Sequence, residues 1–338
     1  MVTGSKHYQL LKKWLLAGTI LALCVVVLGA YVRLSDAGLG CPDWPGCYGT
    51  LTVPESEAAI LQAQTAFPQS TVHTGKAWKE MAHRYLAGAL GLMVLGIFAL
   101  SWRVKAELRS SPWLPTFLLV LIVFQAMLGM WTVTMLLKPV VVSAHLLGGM
   151  STLAILTWLA HRHWGQLSSC LKEAAVLSLA IRFGLLVLFA QIFLGGWTST
   201  NYAALACTDF PTCHGVWVPD MDFKDAFHLI RDLGQSADGG SLTLASITAI
   251  QWSHRVGALI TLIYLGILAL NVLKYRPLRH LGLVLIAVLL TQIGLGISNL
   301  ILHLPLVLAV AHNLGAALLV IILVVLNSKI TAANRRHS

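Results

Sequence analysis

GCPDWPGCYG, residues 40–49, holds two cysteines with five residues between them, and a variant of this stretch, ACTDFPTCHG, returns at residues 206–215. Each cysteine of the first copy has a counterpart 166 positions later, and an aspartate, an aromatic residue, a proline and a final glycine also match between the copies. A long stretch that recurs at a fixed offset indicates an internal repeat, and repeats decide an architecture before any single motif does.

The repeat continues outside this loop. His83 and Arg84 return as His254 and Arg255 at an offset of 171, so the second loop is five residues longer than the first. A further group returns at an offset of 167, and its pairs are Gln125 with Gln292, Gly129 with Gly296, and His145 with His312. The two halves of the chain are therefore predicted to share one fold.

The composition is that of a membrane protein, because 57% of the residues are hydrophobic and only 11% are charged, whereas about 25% charged residues are usual in soluble domains. Eight apolar runs approach the roughly 20 residues that cross a hydrocarbon core. They cover residues 11–33, 81–102, 113–137, 139–160, 174–198, 246–273, 280–302 and 304–327.

The runs and the repeat together predict the fold class. We expect an all-α integral membrane protein whose eight transmembrane helices form two pseudo-symmetric four-helix bundles. Four spans in each half preserve the orientation, so the halves are parallel repeats. Residues 1–165 are expected to form the first bundle and residues 166–338 the second. Pro139 and Pro305 divide neighbouring runs because proline cannot continue a helix.

The net charge of +10 is distributed in a way that marks one side of a membrane and does not indicate a nucleic-acid surface. Lysine and arginine cluster before the first run and after the second, fourth, sixth and eighth runs. The positive-inside rule then places both termini in the cytoplasm. The loops at 34–79 and 199–245, which carry most of the acidic residues, are predicted to lie on the opposite side.

Four of the thirteen histidines recur in pairs, His83 and His145 in the first half and His254 and His312 in the second. An ionisable residue inside a span is costly and indicates function. Two neutral imidazoles on facing helices of a bundle hold a haem iron from both sides; the alternative is a structural hydrogen bond between helices. A di-iron site is less consistent with the sequence, because each bundle offers at most one carboxylate.

Residues beside these histidines also fit a haem. Arg84 and Arg255 are suited to hold haem propionates through forked hydrogen bonds, although snorkelling to lipid headgroups is an alternative. Gly148, Gly257 and Gly315 follow three of the histidines by one helical turn. We expect these glycines to let a flat macrocycle approach the backbone.

The halves differ at Glu80, which lies three residues before His83 on the same helix face, whereas its counterpart is the neutral Gln251. A carboxylate at the edge of a haem pocket can take up protons or stabilise developing positive charge. The alternative is an acid favoured by the dipole at a helix start. The difference predicts a reactive site in the first half and an electron-carrying site in the second.

The cysteine pairs have three interpretations: a zinc site, a structural disulfide or a redox switch. Zinc is disfavoured because five residues separate the pair and each loop offers only two thiols. A location outside the cytoplasm favours disulfides, and the intervening proline, glycine and aspartate favour a tight turn. Cys24 and Cys170 have no matching partners and are expected to be free.

The motifs GLGCPDWPGCYG, EMAHR, SAHLLGG, CTDFPTCHG, QWSHR and AHNLGA occur in this order. Together they resemble the haem A synthase family of bacteria and mitochondria, over nearly the whole chain from about residue 12 to residue 327. The resemblance implies a membrane oxidoreductase that converts the C8 methyl group of haem O to the formyl group of haem A by successive hydroxylations. Haem A serves cytochrome c oxidase in this family.

Carried over by position, the resemblance implies that His254 and His312 ligate a resident haem b, and that His83 and His145 bracket the substrate haem. Glu80 falls on the glutamate regarded as essential to the oxidation. The family also implies a bacterial inner-membrane location, haem O as substrate, contact with lipid, and as further partners a haem O synthase, an unknown electron acceptor and possible further copies of the chain.

In the same way, Arg84 falls beside the substrate haem, and the pairs Cys41–Cys47 and Cys207–Cys213 fall on the family's two disulfides, the first with a possible redox role. Two other functions stay open at this point. A two-haem b-type electron carrier would not need Glu80. A transporter would need polar groups near the middle of the membrane, where the predicted spans are apolar.

Overall fold

The computed structural model describes residues 5–108, 111–164, 173–236 and 239–334. Within these ranges the chain forms ten α-helices and two short 3₁₀ helices, and no β-strand. The α-helices are α1 (Lys6–Leu34), α2 (Glu57–Ala66), α3 (Thr74–Arg103), α4 (Trp113–Thr134), α5 (Pro139–Trp164), α6 (Leu177–Thr200), α7 (Phe223–Ala226), α8 (Leu244–Leu273), α9 (Arg279–Ile301) and α10 (Leu306–Asn334).

Eight helices of the described ranges have the length and hydropathy to cross a membrane, which confirms the predicted number of spans. They are all except the short α2 and α7. The prediction was least accurate at two helix ends: α10 ends at Asn334 and not at residue 327, and α3 begins at Thr74 and not at residue 81. Its first turns carry Lys76, Lys79 and Glu80, which an apolar run does not include. Glu80 and His83 therefore lie in the second and third turns of a regular helix.

The two breaks expected at Pro139 and Pro305 are confirmed. Residues 135–138 join α4 to α5, and residues 302–305 join α9 to α10. Each turn contains two consecutive residues with positive φ. The same short turn thus recurs at the equivalent place in both halves.

The spanning helices pack as two rings of four. In the first ring α1 contacts α3 and α5, and α4 closes the ring between them; in the second ring α6 contacts α8 and α10, and α9 closes it in the same way. The rings meet through α1 and α5 on one side and α6 and α10 on the other. The expected boundary at residues 165 and 166, as well as Cys170, lies outside the described residues.

Equivalent positions of the two halves touch one another where the rings meet. Arg33 at the end of α1 donates a hydrogen bond from Nη2 to the carbonyl of Ser199 (2.8 Å), the residue 166 positions later. The Arg33 guanidinium also lies 4.7 Å from the ring centre of Tyr202. Tyr202 corresponds to Asp36 and donates its hydroxyl to that carboxylate (3.4 Å). Such contacts between equivalent positions are those of a two-fold interface.

The connections α1–α3 and α6–α8 form the first cysteine loop (residues 35–73) and the second cysteine loop (residues 201–243). Both disulfides are formed, Cys41–Cys47 and Cys207–Cys213, with S–S distances of 2.04 and 2.02 Å. Cys24 is free and exposed, as expected. An aspartate closes each disulfide turn: Asp43 accepts from the backbone N–H groups of residues 48 and 49 at 2.6 and 2.8 Å.

In the second cysteine loop Asp209 accepts from the Thr212 hydroxyl (2.6 Å) and from the N–H groups of His214 (2.8 Å) and Gly215 (3.0 Å). The Thr212 hydroxyl and the Gly215 N–H hold the pKa of the Asp209 carboxyl below its ordinary value. A carboxyl whose pKa is lowered by folding stabilises the folded state at pH values above its ordinary pKa. Asp209 therefore contributes to stability at neutral pH.

We expect the turn at Asp209 to lose stability as the pH falls below about 4, the ordinary pKa of aspartate, because the opened turn then binds a proton that the closed turn, with its lowered pKa, does not. Amide hydrogen exchange, corrected for intrinsic rates, should show reduced protection of His214 and Gly215 between pH 7 and pH 2. An Asp209→Asn variant should show low protection with no such pH dependence. Equal pH profiles for the two proteins would contradict the assignment.

Candidate functional site

A cavity of about 2080 Å³ extends through both helical rings. Pockets for one drug-sized ligand have about 300–1,000 Å³, so the cavity is larger than a single such site. The candidate residues of both halves line it, namely Glu80, His83, Arg84, His145, His254, Arg255 and His312. The structure therefore brings the predicted residues of both halves to one continuous space.

A glycine on the neighbouring helix faces each of the four histidines. A Cβ atom built on Gly29 of α1 would lie 2.8 Å from Cε1 of His83, and one on Gly129 of α4 would lie 3.4 Å from Cε1 of His145. In the second half, Gly195 of α6 faces His254 at 3.1 Å and Gly296 of α9 faces His312 at 3.2 Å in the same way. Each imidazole thus rests against helix backbone. A Cβ at Gly29 would displace the His83 ring, one at Gly195 or Gly296 would make a tight contact, and one at Gly129 would make an ordinary contact.

The ring nitrogens are placed as metal ligands require. Nδ1 of His83, His145 and His312 is buried and makes no hydrogen bond of standard geometry, while a backbone carbonyl of the adjacent helix lies close to each ring. These carbonyls belong to Val25, Gln125 and Gln292, respectively. A carbonyl beside Nδ1 favours the tautomer whose Nε2 is free to bind a metal. The residues therefore fit a pair of haem groups, one in each ring.

The glycines one turn after three histidines have a different role from the one expected. A Cβ atom on Gly148, Gly257 or Gly315 would overlap a glutamine side chain of the adjacent helix. The glutamines are Gln125 for Gly148, Gln191 for Gly257 and Gln292 for Gly315. The absence of a side chain makes room for an amide, and this space is not open to a macrocycle.

Glu80 joins the first cysteine loop to the cavity. Its buried carboxylate accepts a hydrogen bond from the backbone N–H of Cys41 (3.0 Å) and an ion-paired one from Nη2 of Arg84 (2.5 Å). The loop comes this close because Gly40 lies against α3, where a Cβ would be 2.6 Å from the backbone of Lys76. The counterpart of Gly40 in the second half is Ala206.

The two arginines hold the cysteine loops. Arg84 donates from Nη1 to the carbonyls of Asp43 (2.8 Å) and Gly46 (2.5 Å). Arg255 donates to the carbonyls of Thr212 (2.7 Å) and Cys207 (2.8 Å). Both guanidinium groups also line the cavity, so each connects a loop to a histidine pocket. Binding of propionates by the same groups stays a prediction.

Gln251 occupies the position of Glu80 in the second half. It is buried, and its Oε1 has no hydrogen-bond partner within the described residues. Arg255 therefore lacks the carboxylate that pairs with Arg84. The difference in charge expected from the sequence is present in the structure at the same depth in both rings.

A third cluster, Cys207, Cys213 and His214, has the spacing of a metal site, since its ligand atoms lie within 4.8 Å of one another. Both sulfur atoms are joined in the disulfide, and Nε2 of His214 is 2.8 Å from the carbonyl of Ala206. These groups are used in the turn itself, which agrees with the expectation that the loops do not bind zinc.

Sequence reasoning missed Gly29, Gly195 and Gln191, which contact the histidine rings. The signal was present as a short pattern shared by four helices. It reads VVVLG at 25–29, QAMLG at 125–129, QIFLG at 191–195 and QIGLG at 292–296. Matching the first half only against the second half hid the similarity between helices of one half.

Comparisons with known proteins show which family the chain resembles. A family model described as "Cytochrome oxidase assembly protein", COX15-CtaA, matches residues 12–324. The chain is 46% identical over 317 residues to a protein named Heme A synthase of Shewanella oneidensis, covering 93% of this chain and 95% of the relative. It is 25% identical over 315 residues to Heme A synthase of Halalkalibacterium halodurans (89% and 92%). It is 27% identical over 329 residues to that of Caulobacter vibrioides (90% and 92%).

We expect a Gly29→Ala substitution to weaken haem binding at His83, because the new methyl group would displace the imidazole. Titration of the purified protein with haemin, followed by its absorption spectrum, should show affinity at this site reduced roughly 10-fold, the lower range for a disturbed ligand environment. Gly75→Ala on α3, where a Cβ meets nothing within 4 Å and which does not line the cavity, is the matched control. Equal affinities of the two variants would show that Gly29 does not position His83.

Proposed function

The chain belongs to the COX15-CtaA family of cytochrome oxidase assembly proteins, and we propose from this premise how its two rings divide the work of a haem A synthase. The activity is that of a membrane oxidoreductase acting on haem O, in agreement with the relatives' printed names. It converts the C8 methyl group to the formyl group of haem A by successive hydroxylations. The observation that carries the proposal is the presence of two similar histidine pairs along one cavity, where Glu80 accompanies the first pair and the neutral Gln251 the second.

The first ring, within residues 1–165, takes haem O between His83 and His145. The second ring, within residues 166–338, holds haem b between His254 and His312. Haem b, when bound, supplies a carrier that passes electrons to an acceptor outside the chain. In both rings each histidine rests against a glycine of the neighbouring helix. This similarity supports binding of the same class of macrocycle in both rings.

We assign Glu80 the role of the catalytic residue. Its carboxylate lines the cavity one turn from His83, which supports a position beside the substrate macrocycle. The hydrogen bonds from Cys41 and Arg84 fix its direction. From this place it can accept or position protons released from the methyl carbon. Gln251 cannot accept a proton in this way, so the same chemistry is not expected in the second ring.

Arg84 and Arg255 are proposed to bind propionates with the N–H groups that the loops leave free, since a guanidinium has five donors. Each propionate would then tie a macrocycle to one cysteine loop. This arrangement agrees with the orientation proposed from the charge distribution, with cytoplasmic termini and both loops on the periplasmic side of a bacterial inner membrane. The proposed partners are a haem O synthase as the source of substrate, an electron acceptor, membrane lipid and further copies of the chain.

The similarity of the two histidine pairs also favours a second candidate, a two-haem electron carrier without haem-modifying activity. The candidates differ in what they require of Glu80. A carrier needs the histidines alone, whereas a synthase needs the carboxylate as well.

We expect Glu80→Gln to reduce haem A formation at least about 100-fold, the lower range for loss of a general acid–base group. Cells that express the chain with a supply of haem O are extracted, and their haems are separated by chromatography. Haem b should stay bound, because His254 and His312 are unchanged. Glu55→Gln, at an exposed acid that accepts from Trp78 (2.7 Å), is the matched control. Normal haem A with Glu80→Gln would contradict the role assigned to Glu80. Absence of haem A from cells that express the unchanged chain, with haem b still bound, would favour the electron carrier.

Replacing Cys41 and Cys47 by serine should reduce haem A formation more than replacing Cys207 and Cys213. Both variants lose a cross-link of equal length, so their melting temperatures should fall by similar amounts. Only the first pair lies next to a residue of the proposed reaction, through the bond from the Cys41 N–H to Glu80. Equal loss of activity from both pairs would indicate that the disulfides act only as structural cross-links.

A further inference from the structure

Each of the four histidines lies in a cradle, formed by a glycine of the neighbouring helix and the four residues before that glycine. The four cradles are alike except for the one around His83. Gln125, Gln191 and Gln292 each begin a Q-x-x-L-G segment beside a histidine, and the fourth segment begins with Val25. Val25 is the counterpart of Gln191 at the offset of 166. The histidine next to Val25 is His83, and the residue one turn after it is Leu86 in place of a glycine. His83 therefore lacks both halves of the glutamine–glycine arrangement that the other three histidines have.

Gln191 contacts its histidine directly. Its amide nitrogen lies 3.0 Å from Nδ1 of His254 and 3.1 Å from the His254 carbonyl. The amide is seated in the space left by Gly257. The oxygen and nitrogen of a side-chain amide occupy nearly the same positions and exchange by a half-turn. When Nε2 binds iron, Nδ1 carries the proton. After the half-turn, Oε1 of Gln191, which has no other partner in the described residues, accepts a hydrogen bond from Nδ1–H, and this bond replaces the one from the amide nitrogen to the His254 carbonyl.

No side-chain amide of the described residues faces His83. Val25 offers only its backbone carbonyl, and its side chain is apolar. The ring is placed by Gly29 on one side and by that carbonyl alone. Gln125 and Gln292 approach their histidines through the backbone carbonyl and place the amide against a glycine. The contrast is therefore sharpest between the equivalent positions 25 and 191.

The two rings have opposite requirements in a haem A synthase. A cofactor has to stay bound through many turnovers, whereas the product of the first ring has to leave after each one. Partners that orient a metal-binding histidine typically change metal affinity by about 10–100-fold when removed. A difference of this size between otherwise similar cradles separates a retained macrocycle from an exchangeable one.

We propose that Gln191 is a positioning residue that fixes His254 for long-term retention of haem b, and that Val25 at the equivalent position leaves His83 as the ligand that releases the product. This inference rests on the proposed division of the two rings. It adds a reason why one pocket turns over and the other does not. The amide acts through the imidazole and does not touch the reacting methyl group.

The test measures the transfer of haem b from the purified full chain to an excess of apomyoglobin. Gln191→Val should release haem b about 10–100-fold faster than the wild type, and the absorption spectrum of the remaining haem should change. Gln191→Glu keeps an acceptor for the Nδ1 proton, so it should restore slow release. Gly266→Ala on α8, where a Cβ meets nothing within 4 Å, is the control and should match the wild type.

The reciprocal variant, Val25→Gln with Leu86→Gly, installs the missing pair in the first ring. Haemin added to the first ring of this variant should leave for apomyoglobin about 10-fold more slowly than from the wild type. The proposal is overturned if Gln191→Val retains haem b as long as the wild type, or if Gln191→Val and Gln191→Glu release it equally fast. It is also overturned if the reciprocal variant releases haemin at the wild-type rate.

A separate experiment tests the proposed division itself, in which haem b resides in the second ring. His254→Ala should be purified without haem b, whereas His83→Ala should keep it. If the outcomes are reversed, haem b resides in the first ring and the division itself is wrong. If they are as expected and the glutamine variants have no effect, the division stands and the role of Gln191 is rejected.

Discussion

The structure depends on placing four imidazoles inside membrane-spanning helices. A polar ring in this environment is unfavourable unless its nitrogens have partners, and those partners have to come from an adjacent helix. Each histidine faces a glycine, which brings the neighbouring backbone close enough for a carbonyl or an amide to reach the ring. The close helix pairs α1–α3, α4–α5, α6–α8 and α9–α10 are the pairs that share a cradle. Both rings of helices are thus built around these contacts.

Much of this arrangement follows from the sequence. The number of spans, the two turns at proline and the convergence of the histidines come from apolar length, the chemistry of proline and the offsets of the repeat. The disulfides were favoured by the predicted outer location of the loops and by the family resemblance. The start of α3 was wrong because Lys76 and Lys79 interrupt the apolar run without interrupting the helix. The role of Gly148, Gly257 and Gly315 was also wrong, because a sequence does not show which side chain of another helix fills the space beside a glycine.

Duplication explains why the rings are similar, and the departures from it explain why they are not equivalent. Arg33 and Ser199, which are equivalent positions of the repeat, touch at the junction of the rings. The halves differ in a polar residue at two pairs of equivalent positions: Glu80 corresponds to Gln251, and Val25 corresponds to Gln191. The first difference gives the first half a carboxylate, and the second gives the second half a hydrogen-bond partner for the imidazole.

The cysteine loops have also diverged, and Gly40 is the residue on which the difference depends. Without a Cβ, residue 40 lies against the backbone of α3, and the next residue, Cys41, then reaches the carboxylate of Glu80. A methyl group stands at the equivalent Ala206, and there Arg255 alone spans the distance to the Cys207 carbonyl. The first loop therefore sets the direction of the proposed catalytic group, whereas the second loop closes its pocket without touching a reactive side chain.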